Sequence, residues 1–193
     1  MGTLNLSSGT ITGLNAGGLP DGCVQAADLA SGVGGKFLQA VQVVVTGRIS
    51  STVTDGVFED ISGLTVNITP SSTSSKILVF WEVATHTIGG NWSLSGRLMR
   101  DSTAICIGDQ VGSNRLRTSN HGRSDRDSSD DYQILPFSGV FLDSPSTTSA
   151  VTYKYQWTDG HGKTLYLNYA TADSDGDGSS TQVSSITCVE VGA

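Results

Sequence analysis

From residue 37 onward, hydrophobic and polar positions alternate along most of the chain. The clearest case is AVTYKYQWT, 150–158, where Val151, Tyr153, Tyr155 and Trp157 share one parity and Thr152, Lys154 and Gln156 the other. A period of two puts successive side chains on opposite faces of a strand, which predicts one buried and one solvated face. LTVNIT, 64–69, does the same with Leu64, Val66 and Ile68. In KILVFWEVATHT, 76–87, Ile77, Val79, Trp81 and Val83 alternate with Leu78, Phe80, Glu82 and Ala84, so its first half is apolar on both faces. Such a strand needs a cover on each side. FLQAVQVVVT (37–46), WSLSGRLMR (92–100, with Trp92, Leu94 and Leu98 on one face), QILPFSGVFLD (133–143), TLYLNYAT (164–171) and SSITCVEV (184–191) complete the set. Pro136 in the fifth of these eight segments along the chain predicts an edge position or a bulge.

Strands this short, separated by Gly, Ser, Asp and Asn clusters and with no long helical pattern, predict an all-β domain of β-sandwich or jelly-roll type with about eight to ten strands. The first 36 residues differ. They hold nine of the 24 glycines, against fifteen in the remaining 157 residues, which predicts a boundary and a division into 1–36 and 37–193. GTLNLSSG is echoed by GTITGLNAGG, each with two apolar residues near a Gly-Thr start. Pieces this short cannot bury an apolar face within one chain and must pair with neighbours. In GLPDGCVQAADLASGVGG, Pro20-Asp21-Gly22 marks a turn and Asp21 can cap a helix. Val24, Ala27 and Leu29 fall near one face of a two-turn helix ending at Gly32 or Gly34, too short to be stable alone. The expectation is an extended, glycine-rich attachment arm with one short helix, followed by a compact head.

Charge narrows the partners. Eighteen acidic against eleven basic side chains give a net charge of −7, which argues against binding to a phosphate backbone. Most arginines lie between Arg97 and Arg126, but Asp101, Asp109, Asp125 and Asp127 are interleaved with them. No apolar run approaches the ~20 residues of a membrane-spanning helix. MGTLNLSSG lacks the basic and apolar regions of a secretory signal, so the expectation is synthesis and folding in a cytoplasm. Cys23, Cys106 and Cys188 are too few and scattered for a disulfide framework. Cys106 and Cys188 sit in apolar, strand-like runs and are expected in the core.

GLPDGCVQAADLASGVGGKFLQAVQ, ITPSSTSSKILVFWEVAT, LMRDSTAICIGD and GVFLDSPSTTSAVTYKYQW together resemble a module of tail-fibre and baseplate-associated proteins of tailed bacteriophages, over residues ~13–191. The resemblance implies a glycine-rich arm with a small helix ahead of a jelly-roll head similar to C1q and tumour-necrosis-factor heads, trimeric about its axis. It implies a virion protein, assembled in the host cytoplasm, that joins other virion proteins through residues 1–36. It brings no catalytic constellation. The expected role is a short tail fibre or fibre head that contacts the host surface. The alternatives are a capsid decoration or baseplate component without receptor binding and, third, a glycan hydrolase. A homotrimer also follows from the strand at 77–84, whose second apolar face needs a neighbour; a double-sided core strand within one chain is the alternative.

Two segments carry candidate chemistry. GSNRLRTSNHGRSDRDSSDD, 112–131, has no hydrophobic periodicity and exceeds the usual length of a structureless loop. Arg115, Arg117, Asn120, His121, Arg123, Asp125 and Arg126 within it offer hydrogen bonds and charge to a host surface glycan; a variable surface insertion is the plain alternative. In DSDGDG, Asp173, Asp175 and Asp177 take positions one, three and five of a calcium loop and Gly178 the sixth, but position twelve is Ser184 rather than a bidentate acid. The flanking segments are expected to pair as a hairpin with this acidic stretch at its tip, and a solvent-exposed turn explains the same residues. His86, His121 and His161 lack metal-ligand spacing, and His161 in DGHGK is expected in a hairpin turn. No nucleophile-elbow, phosphate-loop, dinucleotide or zinc-protease motif occurs, so the chain is expected not to be an enzyme and to need no cofactor beyond a weak calcium ion at most.

Overall fold

The computed structural model describes residues 37–87, 93–123, 132–172, 174–177 and 179–192. They belong to the second of two units into which the chain divides, Phe37–Ala193. The expected arm and short helix of residues 1–36, Cys23 among them, and Trp92, Asp125, Arg126 and Asp173 lie outside the described residues.

The head is all-β. Its strands are β1 (Phe37–Val45), β2 (Ile49–Thr52), β3 (Glu59–Ile68), β4 (Lys76–Thr87), β5 (Ser93–Arg100), β6 (Thr103–Ile105), β7 (Asn120–Arg123), β8 (Leu135–Asp143), β9 (Val151–Asp159), β10 (Thr164–Leu167) and β11 (Ser184–Val191). They form two antiparallel sheets. In the first, β8, β4, β11 and β1 lie side by side, and the short pair β10 and β2 continues the sheet alongside the last residues of β4, past the end of β11. In the second, β3, β9 and β5 are neighbours, and β6 and β7 share the remaining edge of β5. The chain passes from β3 to β4 to β5 and from β7 to β8 to β9, changing sheet at each step, which is the wrapping of a jelly roll.

Alternation decides which face is core. Val151, Tyr153, Tyr155 and Trp157 are buried together, as are Leu64, Val66 and Ile68, and Ile77, Val79, Trp81 and Val83. Val53, Ile61, Leu94, Leu98, Phe137, Leu165, Leu167, Ile186 and Cys188 pack with them in the interior between the sheets. Among the described residues β8 pairs only with β4, so Pro136 stands on an edge strand, where proline is tolerated. In β3 the register slips between Asp60 and Thr65, and Gly63 takes the left-handed backbone (φ 77°) the irregularity needs.

Three expectations are corrected. The segments around the acidic stretch do not form a hairpin: β10 and β11 lie one after the other along the same edge of β4, Leu167 opposite Thr85 and Ser185 opposite Glu82. Asn168 makes this junction. It is fully buried in a left-handed conformation (φ 69°), its Nδ2 donates to the carbonyls of Val45 and Gly47, and its Oδ1 accepts from Ser184 Oγ at 2.6 Å. His161 is not in a hairpin turn, because β9 and β10 belong to different sheets. Its segment is a corner between them, held by Asp159 Oδ1, which accepts from the backbone N–H groups of His161 and Lys163. Cys106 is exposed just past β6, whereas Cys188 is buried and its thiol is pushed up to about 12 by burial and the nearby Asp143 charge.

Candidate functional site

The polar run 112–131 divides on folding. Asn120–Arg123 is strand β7, paired with β5 so that Ser93 faces Arg123, Ser95 faces His121 and Gly96 faces Asn120. Periodicity did not reveal this strand, since none of its four side chains is apolar. Before it, residues 106–119 leave the edge of β5 after β6 and return to the same edge. The excursion is bonded to itself and to β5: Arg117 Nε donates to the Gly108 carbonyl at 2.7 Å, Gln110 Nε2 to the carbonyls of Gly112 and Arg115, Gly108 N–H to Thr118, and Ser119 N–H to Gly96. Ser119 Oγ in turn accepts from Leu98 N–H.

These bonds hold the loop over the outer face of the second sheet. Ser93 and Ser95 share the parity of Arg97, opposite to the core residues Leu94 and Leu98, yet Ser95 is buried. A depression of about 380 Å³ remains between strand and loop, lined by Ser93, Ser95, Arg115, Leu116, Thr118 and His121. Ser95 Oγ and His121 Nδ1 are 3.0 Å apart. Among the described residues no carboxylate lines the depression or pairs with the Arg115 guanidinium.

Arg115 and His121 therefore come together; of the other candidates among the described residues, Arg117, Asn120 and Arg123 do not line the depression. Arg117 is turned toward Gly108. Arg123 ends β7 across from Ser93, on the same strand face as His121, and so borders the depression without lining it. Asn120 faces inward: its Oδ1 accepts from Trp81 Nε1 at 2.8 Å and Tyr155 OH at 2.7 Å, and its Nδ2 donates to the Ser138 carbonyl. It joins the two sheets. Ser93 and Ser95 escaped the sequence reading because only the cross-strand register brings them to His121. Their one signal is the polar parity of WSLSG.

In the acidic stretch, Asp175 and Asp177 are exposed. Ser184, at position twelve of the calcium pattern, is buried, its Oγ accepting from Ala84 N–H and donating to Asn168. It is unavailable to an ion. Arg48, stacked 4.2 Å over the Tyr169 ring, lines a depression with Ser174, Asp175 and Ser179, so a cation entering there meets a guanidinium. Among the described residues no cluster of three or more metal-ligating side chains assembles.

The outer faces of the two sheets differ. On the second, Lys154 pairs with Asp60 at 2.7 Å, Gln156 bridges Asp60 and Arg97, and Arg97 stacks 4.0 Å over Phe58. The outer face of the first carries an apolar patch, bordered by the polar row Ser138, Glu82 and Ser185. Cross-strand register places Leu142, Leu78, Val189 and Ala40 in one row and Val140, Phe80, Thr187 and Gln42 in the next. Leu38 (53% exposed), Phe80 (43%), Val140 (57%) and Leu142 (52%) stand open on this surface. A shallow hollow of about 380 Å³ runs among Leu38, Ala40, Leu78, Phe80 and Val189.

No family model and no curated protein matches the chain. Among solved structures, it is similar to that of the infectious bursal disease virus Gt strain at 15% identity and a TM-score of 0.35, covering 80% of this chain and 42% of that one. It is similar to the VP2 subviral particle of infectious bursal disease virus at 13% identity and a TM-score of 0.35, covering 79% and 41%. The chain thus spans about two fifths of the length of these structures.

Proposed function

We propose that the protein is a virion structural component of the fibre-head kind, a homotrimer joined through the apolar outer face of the first sheet and contacting a host surface with the loops of the second. The carrying observation is that apolar face. Contiguous exposed hydrophobic side chains on a domain surface mark an interaction surface, and the opposite sheet, whose outer face carries the charged and hydrogen-bonded side chains of Lys154, Asp60, Gln156 and Arg97, shows no comparable patch among the described residues. The resemblance of residues ~13–191 to phage tail-fibre modules supports the same reading and assigns attachment to residues 1–36. Contact would work by avidity, three modest sites per trimer engaging one surface together.

Electron microscopy of purified particles carrying a C-terminal label tests the placement. Label at the outward end of the tail is the expected result. Label over the capsid assigns the chain to decoration, and particles without label refute a virion role.

A further inference from the structure

We infer that the depression between β5, β7 and the loop at 115–118 is a binding site for the carboxylate of an acidic sugar. It deepens the host-contact reading and rests on it for its biological sense. The wall offers one guanidinium, three hydroxyls (Ser93, Ser95 and Thr118) and an imidazole whose Nδ1 is engaged by Ser95. His121 Nε2 makes no bond among the described residues and is left for a ligand. Leu116, 40% exposed, supplies an apolar patch beside them.

That set matches a sugar acid. A planar guanidinium binds a carboxylate in a fork of two hydrogen bonds. Ring hydroxyls need partners that both donate and accept, which serine and threonine hydroxyls do. The C–H face of a sugar ring needs an apolar surface, which Leu116 provides. Among the described lining residues the one cation, Arg115, suits a ligand of one negative charge among many hydroxyls. The volume of about 380 Å³ lies within the range of small-ligand sites. Preorganisation is built in, because the loop's own hydrogen bonds hold the segment carrying Arg115 and Leu116 without a ligand.

The test uses the full chain on immobilised glycans ending in galacturonate, glucuronate or N-acetylneuraminate, each beside its neutral methyl ester. The inference expects at least one acid to be bound at millimolar affinity or better and its ester to be bound at least tenfold more weakly. Arg115→Ala should weaken the acid by about tenfold to a hundredfold, with an unchanged melting temperature showing that the exposed loop position leaves the fold intact. Ser95→Ala should weaken acid and ester alike. Equal binding of acid and ester, full binding by Arg115→Ala, or no binding to any acid overturns it. The site lies on the sheet opposite the proposed subunit interface, so its failure leaves the mass of the assembly unaffected.

Discussion

Gly139 of β8 lies directly across from Trp81 of β4, and the indole occupies the space that a side chain at position 139 would need. At Gly96 of β5, which pairs with Trp157, the Tyr155 ring fills the space a side chain would need. The two rings approach to 6.3 Å between centroids and share the Asn120 carbonyl oxygen. The middle of the head is thus built from two large aromatic side chains, two glycines that make room for them, and one amide that satisfies their polar tips.

Gly139→Ala forces a methyl group against the face of a buried ring. Overpacking of a filled core costs about 1–3 kcal/mol, and that loss is expected in urea unfolding followed by tryptophan fluorescence. A loss below about 0.5 kcal/mol, the scatter of ordinary surface substitutions, would contradict the packing described.

Asn120→Ala leaves Trp81 N–H and Tyr155 O–H without their acceptor. Each stranded buried donor costs about 1–3 kcal/mol, so the variant should lose about 2 kcal/mol or more by the same two donors. Near-ultraviolet circular dichroism should change with it. Retained stability would mean that Asn120 serves the surface rather than the core.

Asn168 separates two contributions at one position. Asn168→Gly keeps the left-handed backbone but loses the bonds to Val45, Gly47 and Ser184, whereas Asn168→Ala loses the bonds and adds about 1–2 kcal/mol of backbone strain. Thermal melts should rank wild type above glycine and glycine above alanine. An alanine variant as stable as the glycine variant would rule out the strain.

Glu190 is buried, and burial opposes its ionisation, but hydrogen bonds from Ser71 and Gln39 outweigh this and hold the carboxyl at about 2. A folded-state value below the ordinary 4.5 means that the carboxylate's contribution is complete above pH 4.5 and lost as pH falls toward 2. Glu190→Gln should therefore be less stable than wild type at pH 7, with the gap closing between those two values. Melting curves at pH 7, 4.5, 3 and 2.5 check this; a gap that stays constant across the series sinks it.

How far the sequence disclosed this structure depended on whether a segment's pattern or its partners determined its place. β9 was legible in full because strict alternation is a local property. β7 was not, since Asn-His-Gly-Arg becomes a strand only against Ser93–Gly96. The hairpin expected around the acidic stretch failed for a related reason: β10 and β11 are strands, but the long β4 offers one edge to both. Of the site, Arg115 and His121 were visible as polar chemistry in a loop. Ser93 and Ser95 were not, because their proximity to His121 is created by strand pairing.

The mass of the assembly in solution tests the central claim most directly. Light scattering at micromolar concentration should give three times the chain mass of 20.1 kDa, about 60 kDa. The double variant Phe80→Glu with Val140→Glu, which charges the apolar face without touching the core, should fall to 20.1 kDa with an unchanged far-ultraviolet spectrum. A wild-type monomer, or a trimer that survives both substitutions, would contradict assembly through the outer face of the first sheet.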